Sequence, residues 1–192
     1  IIAWDSVIEA LRHCASTEVV QLLPDIHQLE GFCQMIARYG EAAESLQGDP
    51  AYNAARLAFI SRNCRALLAG RPQHLGEALQ LVWFCHVAFL MEGRYAMALG
   101  RLDQYLYPFY QADIEKGIIT DEQVVELLEN VFIKLQDDVV NICIGGQNKN
   151  GECEINPLSY CILKAVGNCN VPGPNLSLRL TENTPDDFLD EC

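Results

Sequence analysis

The chain has 192 residues, of which 50% are hydrophobic and 20% are charged, and this composition excludes a disordered tail. Its formal net charge of −13 argues against nucleic acid or an anionic membrane as a partner, because both select a basic surface. The longest apolar run, residues 79–91, is shorter than the roughly 20 residues that a bilayer requires. We therefore expect a globular protein with neither nucleic acid nor a membrane as its partner.

The nine cysteines are an odd number scattered through helical patterns, which is a poor framework for disulfides. No two of them form a Cys-x-x-Cys pair, so a zinc or iron–sulfur site has little support. We therefore predict reduced thiols, a cytoplasmic location and no metal site.

Helical signals fill the first part of the chain. Ser6 and Glu9 form a capping-box pattern in front of a short helix that ends at about residue 15. Apolar residues then recur at helical spacing in an amphipathic helix that ends at residues 48–50. One further helix stops at the Gly-Arg-Pro of residues 70–72, and the next, residues 75–91, is apolar enough to be buried.

The helical pattern continues to residue 136. Pro108 suits the first turn of a helix that runs to Gly117. Thr120 and Gln123 form a capping box for the following helix, which has one apolar face. This part of the chain is therefore predicted to be helical throughout.

The period of the apolar residues changes after residue 137. Residues 139–144 are a short β-branched run, typical of a strand covered on both faces. Asn156 and Pro157 begin a helix that reaches about Val166, and residues 175–181 alternate as a second strand does. Strand, helix and strand predict a βαβ unit with parallel strands and a right-handed crossover.

These elements predict a mainly α fold with a small parallel β part near the C-terminal end. We divide it into a helical part, residues 1–136, and a strand-helix-strand part, residues 137–192, which together form one incomplete domain. Two parallel strands alone leave open edges and cover too little apolar surface, so they require strands from elsewhere. The sequence also begins without methionine and stops soon after a helix start, so we expect it to be cut from a longer protein.

The sequence offers few candidates for catalytic residues. His86 lies in the most apolar helix, where a hydrogen-bonded core imidazole is the better interpretation. No serine or cysteine stands in a nucleophile motif, so no catalytic residue is predicted. Arg101 and Asp103 are predicted to form a structural ion pair or a helix cap. Residues 145–151 lack the groups of a phosphate or calcium loop, which favours a plain turn.

Five short motifs occur in one order: His-Leu-Gly-Glu-Ala-Leu-Gln-Leu-Val-Trp at 74–83, Gly-Arg-Leu-Asp-Gln-Tyr-Leu-Tyr-Pro-Phe-Tyr at 100–110, Ile-Gly-Gly-Gln at 144–147, Asn-Pro-Leu-Ser-Tyr at 156–160 and Pro-Asn-Leu-Ser-Leu-Arg at 174–179. Their order and spacing resemble the glycyl radical enzymes of the pyruvate formate-lyase-like family, in the large domain upstream of the reactive cysteine. The second motif resembles the dehydratase and decarboxylase-like branch more than pyruvate formate-lyase itself. The family's Gly-Cys-x-Glu and Arg-Val-x-Gly motifs, which carry the reactive cysteine and the radical glycine, occur nowhere in the 192 residues.

The resemblance implies a segment of an α/β glycyl-radical-enzyme barrel. In such enzymes a radical S-adenosylmethionine activating enzyme installs a glycyl radical, which passes to a cysteine sulfur that abstracts hydrogen from a small-molecule substrate. The parent protein would be an anaerobic, cytoplasmic, homodimeric lyase that cleaves a C–C, C–O or C–N bond, with the activating enzyme as a partner. The segment holds no cofactor of its own and is expected to be inactive alone.

The resemblance also implies roles for individual residues. Family members that act on diols or choline carry a His-Ser-Ile-type segment before the Gly-Arg-x-Asp-Gln-Tyr turn. The matching residues here, Tyr-Ala-Met-Ala at 95–98, offer no small hydroxyl, which disfavours a small polyol substrate. The candidates for substrate contact are Tyr95 and Asn141. The residues expected to be structural are Arg101, Asp103, Gly145 and Gly146.

A second hypothesis is a non-enzymatic helical binding or scaffold module whose exposed strand edge accepts a partner strand. A third is a truncated gene for the enzyme. A downstream Gly-Cys-x-Glu followed by Arg-Val-x-Gly would support the enzyme, whereas an in-frame stop directly after Cys192 would support the module.

Overall fold

A computed structural model describes residues 23–192 of the chain. The short helix predicted between Ser6 and residue 15 lies outside this range. The chain separates into two compact units that divide between Phe84 and Cys85. Over residues 23–192, no helix is both long enough and apolar enough to span a lipid bilayer.

The first unit is built from helices. Helix α1 spans Leu23–Ser45, helix α2 spans Ala54–Ala69, and helix α3, Leu75–Met91, begins in this unit. The buried apolar cluster consists of Ile36, Cys64, Leu67 and Phe84. Gly40 lets α1 approach α2 closely, because a Cβ atom at this position would lie only 2.8 Å from the Cys64 Cβ. The three helices predicted for this part of the chain are confirmed.

The second unit combines helices with a parallel sheet. Its elements after α3 are, in chain order, strand β1 (Ala96–Arg101), helices α4 (Leu102–Tyr105), α5 (Tyr107–Glu115) and α6 (Asp121–Leu135), strand β2 (Val139–Gly145), helix α7 (Pro157–Cys169), strand β3 (Asn175–Arg179) and helix α8 (Asp186–Asp190). All three strands run parallel in the order β1-β2-β3. Helix α7 therefore connects β2 to β3 in a βαβ unit, and the predicted class, mainly α with a small parallel β part, is confirmed.

Two capping boxes fix where α6 and α7 begin. The Thr120 hydroxyl accepts a hydrogen bond from the Gln123 backbone N–H, and the Gln123 side chain accepts one from the Thr120 N–H. Asn156 and Ser159 form the same reciprocal arrangement at the start of α7. Each box satisfies backbone donors that a helix start leaves unpaired, so the predicted N-termini of both helices are confirmed.

Strand β1 was not predicted, and the expected count of two strands is therefore wrong. Its sequence, Ala-Met-Ala-Leu-Gly-Arg, contains no β-branched or aromatic residue, and alanine, methionine and leucine favour helix. Its pairing with β2 overrides that local preference. The register shifts between Ala98 and Gly100, which leaves Leu99 as the extra residue of a bulge at this edge of the sheet.

The sheet has two unlike faces. Along β2, Val140, Ile142 and Ile144 are at most 1% exposed, whereas Asn141 between them is exposed. The prediction that this strand is covered on both faces is therefore wrong for the described part of the chain. We call the apolar side the buried face. The other side, which we call the open face, consists of Ala98, Asn141, Cys143, Asn175 and Ser177.

Candidate functional site

The open face presents a row of neutral polar groups on two of the three strands, β2 and β3. Asn141 on β2 is in register with Ala98 on β1 and with Asn175 on β3. The Asn175 Nδ2 donates a hydrogen bond of 3.4 Å to the Asn141 Oδ1. Ala98 carries only a methyl group, so no large side chain of β1 shields the Asn141 amide. The row can therefore form hydrogen bonds with a molecule that lies against the sheet.

The next row of the open face carries a thiol and a hydroxyl. Cys143 is in register with Ser177 on β3 and follows Asn141 by two residues, so both β2 side chains lie on the same side of the strand. Cys143 is half-buried and is a free thiol. The open face thus combines amide, thiol and hydroxyl groups without a charged side chain among its five residues.

The two residues predicted to contact substrate lie on β2 and directly before β1. Tyr95, with 83% of its surface exposed, immediately precedes β1. It stands three residues before Ala98, the register partner of Asn141. Both candidates therefore lie toward the amino-terminal end of the sheet.

A buried carboxylate ties together the opposite end of the sheet. Asp103 is 0% exposed, and its Oδ2 accepts hydrogen bonds from the Gly145 backbone N–H at 2.8 Å and from the Ser159 Oγ at 2.7 Å. Its Oδ1 has no hydrogen-bond partner within residues 23–192. Ser159 is the third residue of α7, and the positive end of that helix favours a negative charge nearby. Asp103 thus links α4, the end of β2 and the start of α7.

Arg101 does not pair with Asp103. Its Nη2 lies 2.6 Å from the Glu154 Oε2, and both side chains are about three-quarters buried, with 25% and 29% exposed. The Gln104 side chain donates a hydrogen bond of 2.7 Å to the Glu154 backbone oxygen. The predicted Arg101–Asp103 ion pair is therefore wrong: the guanidinium reaches a carboxylate 53 residues further along the chain.

Gly145, the last residue of β2, and Gly146 directly after it form a tight corner. Gly145 has φ +71° and Gly146 has φ +97°, values that L side chains rarely adopt. A Cβ on Gly145 would lie 3.0 Å from the Arg179 backbone oxygen, and one on Gly146 would lie 3.3 Å from the Arg179 Cβ. The corner therefore lets the chain pass close to β3. Gly146 also lines an open cleft of about 700 Å³ together with Gln147, Gly151 and residues 179–183.

His86 is a buried core imidazole, as predicted. It is 1% exposed, and its Nε2 lies 2.8 Å from the Oδ2 of Asp138. Asp138 is the residue directly before β2. Among the residues that the structure describes, no three His, Cys, Asp or Glu side chains are grouped closely enough to hold a metal ion.

Sequence reasoning missed the partners that hold this site together. Glu154 and Ser159 bond to residues 53 and 56 positions away, and no local pattern signals such distant contacts. The sequence predicted the strand that Asn175 begins. It did not predict that Asn175 lies beside Asn141. Only the strand register, which depends on the whole sheet, brings the two amides together.

The model of the pyruvate formate lyase-like family matches residues 21–192. The chain belongs to this family. The predicted resemblance to the glycyl radical enzymes is thereby confirmed.

Two similar proteins support the assignment. The chain is 36% identical to the 4-hydroxyphenylacetate decarboxylase glycyl radical subunit of Clostridium scatologenes, over 62% of this chain and 15% of that protein. It is 30% identical to the trans-4-hydroxy-L-proline dehydratase of Clostridioides difficile, over 79% of this chain and 22% of that protein. The match to these two relatives thus spans only 15% and 22% of their length.

The fold agrees with a solved glycyl radical enzyme. The crystal structure of a glycyl radical enzyme from Archaeoglobus fulgidus superimposes with a TM-score of 0.84 and 27% identity, over 98% of this chain and 27% of that one. The helices and three parallel strands of this pyruvate formate lyase-like chain therefore correspond to about a quarter of a much longer glycyl radical enzyme.

Proposed function

We propose that this chain is the strand-bearing segment of a longer glycyl radical enzyme, and that the open face of its sheet lies toward the substrate. The proposal depends on the contrast between the buried face and the open face of the sheet in a chain of this family. One face is apolar and buried, whereas the other presents exposed amide and hydroxyl groups and a half-buried thiol. Exposed neutral groups at hydrogen-bonding positions suit the orientation of a small molecule.

The reaction proposed for the complete protein is radical cleavage of a C–C, C–O or C–N bond. A protein glycyl radical, installed by a radical S-adenosylmethionine activating enzyme, would supply the hydrogen-abstracting chemistry. The 192 residues contain neither the Gly-Cys-x-Glu nor the Arg-Val-x-Gly motif, so the reactive groups would come from other parts of the protein. We further propose a cytoplasmic, anaerobic homodimer, and no activity of the segment alone.

Within that enzyme the residues described above bind and orient. Asn141 is proposed to hydrogen-bond the substrate, and Tyr95 to provide an aromatic wall beside it. Asp103, Arg101, Gly145 and Gly146 are proposed to fix the opposite end of the sheet, because their contacts join β1, β2 and α7 rather than face solvent. A rigid frame of this kind keeps a substrate-contacting residue in one position, which supports catalysis.

The names of related proteins suggest the kinds of substrate to test. They include a 4-hydroxyphenylacetate decarboxylase, a trans-4-hydroxy-L-proline dehydratase, a (2S)-3-sulfopropanediol dehydratase and an isethionate sulfite-lyase. We propose that the substrate is a small molecule of this general size that offers a neutral hydrogen-bonding group to Asn141.

A binding or scaffold module remains the second candidate because of the sheet edges. Strands β1 and β3 are the outer strands of the sheet, and within residues 23–192 neither has a second neighbour. An unpaired edge can accept a strand from another chain. The same edges suit the enzyme, in which further strands of the same protein would continue the sheet.

The test begins with the reading frame that encodes the chain. The complete protein is expressed without oxygen together with a radical S-adenosylmethionine activating enzyme and examined by electron paramagnetic resonance. We expect a glycyl radical signal and turnover of one compound from a panel of hydroxy acids, amino acids, diols and sulfonates. The matched control replaces the glycine of the downstream Arg-Val-x-Gly motif with alanine and should abolish both. An in-frame stop directly after Cys192, or an activated protein without a glycyl radical, would refute the proposal.

A further inference from the structure

A hydrogen bond joins the exposed amides of Asn141 and Asn175 across adjacent strands of the sheet. The Nδ2–Oδ1 distance is 3.4 Å, and the two residues are direct register partners on β2 and β3. The contact uses the carbonyl oxygen of Asn141 and one N–H of Asn175. It therefore restricts how the Asn141 amide can rotate.

The paired amides offer a complementary donor and acceptor to a third molecule. An asparagine side chain carries one carbonyl and one NH₂ group, so a bond between two such side chains leaves one NH₂ group and one carbonyl available. Here these are the Asn141 Nδ2 and the Asn175 Oδ1, both on exposed residues. A hydroxyl group can accept from the first and donate to the second. A carboxylate can only accept hydrogen bonds. Its negative oxygens would be repelled by the partial negative charge of the Asn175 carbonyl oxygen.

We propose that Asn175 is a positioning residue for substrate recognition, which holds the Asn141 amide so that the pair binds a neutral hydroxyl or amide group of the substrate. This inference rests on the proposed function and deepens it. It gives β3 a role in substrate specificity, and it excludes a carboxylate of the substrate from this point of the open face. A carboxylate of the substrate would be bound elsewhere in the protein.

The test uses the complete activated protein and the substrate identified from the panel. We expect Asn175→Ala to raise KM about 3- to 10-fold with kcat nearly unchanged, since a net hydrogen bond corresponds to about 1 kcal/mol. Asn175→Asp keeps the shape but removes the donor and should raise KM at least as much. Asn168→Ala, an exposed amide on α7 bonded to Glu129, is the matched control and should leave KM within about twofold.

A double-mutant cycle separates positioning from a general structural role. If Asn175 acts partly through Asn141, the double variant with both residues changed to alanine should lose less affinity than the sum of the losses in the two single variants. Fully additive losses, an unchanged KM in Asn175→Ala, or a lowered melting temperature that accounts for the loss would overturn the inference. If the unsubstituted protein forms no glycyl radical and converts no compound, the proposed function fails instead, and the inference fails with it.

Discussion

The two faces of the sheet differ although they are made from the same strands. On β2, the buried face carries Val140, Ile142 and Ile144, and the open face carries Asn141 and Cys143 in alternation with them. Alternation along a strand lets one segment both anchor the fold and present polar groups. Substitutions on the buried face should therefore change stability, and substitutions on the open face should change binding.

The largest expected effect on stability comes from the buried face of β2. Ile144 is 0% exposed, so Ile144→Ala should lower the free energy of unfolding by about 2–5 kcal/mol through lost burial and a cavity. Asn141→Ala, three residues earlier on the open face, should change it by less than about 0.5 kcal/mol. Urea unfolding of both variants measures the difference. Equal losses would show that the two faces are not distinct in the folded protein.

The second effect concerns the carboxylate that joins β2 to α7. Asp103→Ala would leave the Gly145 N–H and the Ser159 hydroxyl buried without their acceptor, which should cost about 2–4 kcal/mol. Asp103→Asn retains a carbonyl oxygen of the same shape and should cost clearly less. Thermal unfolding of the two variants provides the comparison. If the alanine variant is as stable as the asparagine variant, the network does not hold this end of the sheet.

A smaller effect is expected at the glycine corner. Gly146 and Gly151 both have positive φ, +97° and +81°, but only Gly146 lies against Arg179. Gly151→Ala should therefore cost about 1–2 kcal/mol from backbone strain alone. Gly146→Ala should cost more, because the added methyl group also meets the Arg179 side chain. Chemical denaturation measures both, and a larger cost for Gly151→Ala would contradict the close approach of the corner to β3.

The smallest effects concern the thiols. Burial raises the pKa of the Cys161 thiol on α7 to about 11, and the thiolate is the form that reacts. Iodoacetamide at pH 8 should therefore modify Cys143 on the open face faster than Cys161, as mass spectrometry of digested protein can follow. Faster modification of Cys161 would contradict the assignment of the faces.

The raised pKa of Cys161 also gives a pH dependence of stability. An unfolded thiol titrates near its ordinary value of 9.0, whereas the folded one titrates near 11. As pH rises from 9 to 11 the unfolded state releases the proton first, so the contribution of the neutral thiol to stability is complete below pH 9 and is lost toward pH 11. Cys161→Ala should make stability less sensitive to pH in this range.

Local patterns predicted the elements whose signals lie within a few residues. The Thr120–Gln123 capping box and the β-branched run of β2 identified α6 and β2 because propensity and tertiary environment agree there. Strand β1 was missed because its Ala, Met and Leu favour helix, and only pairing with a strand some 40 residues later makes it extended. The partners of Asp103 and Arg101 were missed for the same reason: they depend on contacts between segments far apart in the chain.

The candidate substrate residues, Tyr95 and Asn141, were predicted from the resemblance to the family. No pattern of polar and apolar residues indicated them. Nothing in the run Asn-Ile-Cys-Ile indicates which of its alternate side chains faces a ligand, because β-branched residues occupy the buried positions in many strands. The roles of Tyr95 and Asn141 in binding accordingly stay predictions.

A crystal structure of the complete protein with its substrate bound tests the central claim most directly. The substrate should lie against the open face, with a hydroxyl or amide group within hydrogen-bonding distance of the Asn141 Nδ2 and the Asn175 Oδ1. A substrate bound away from the sheet, with other parts of the protein packed against Asn141, would contradict the account.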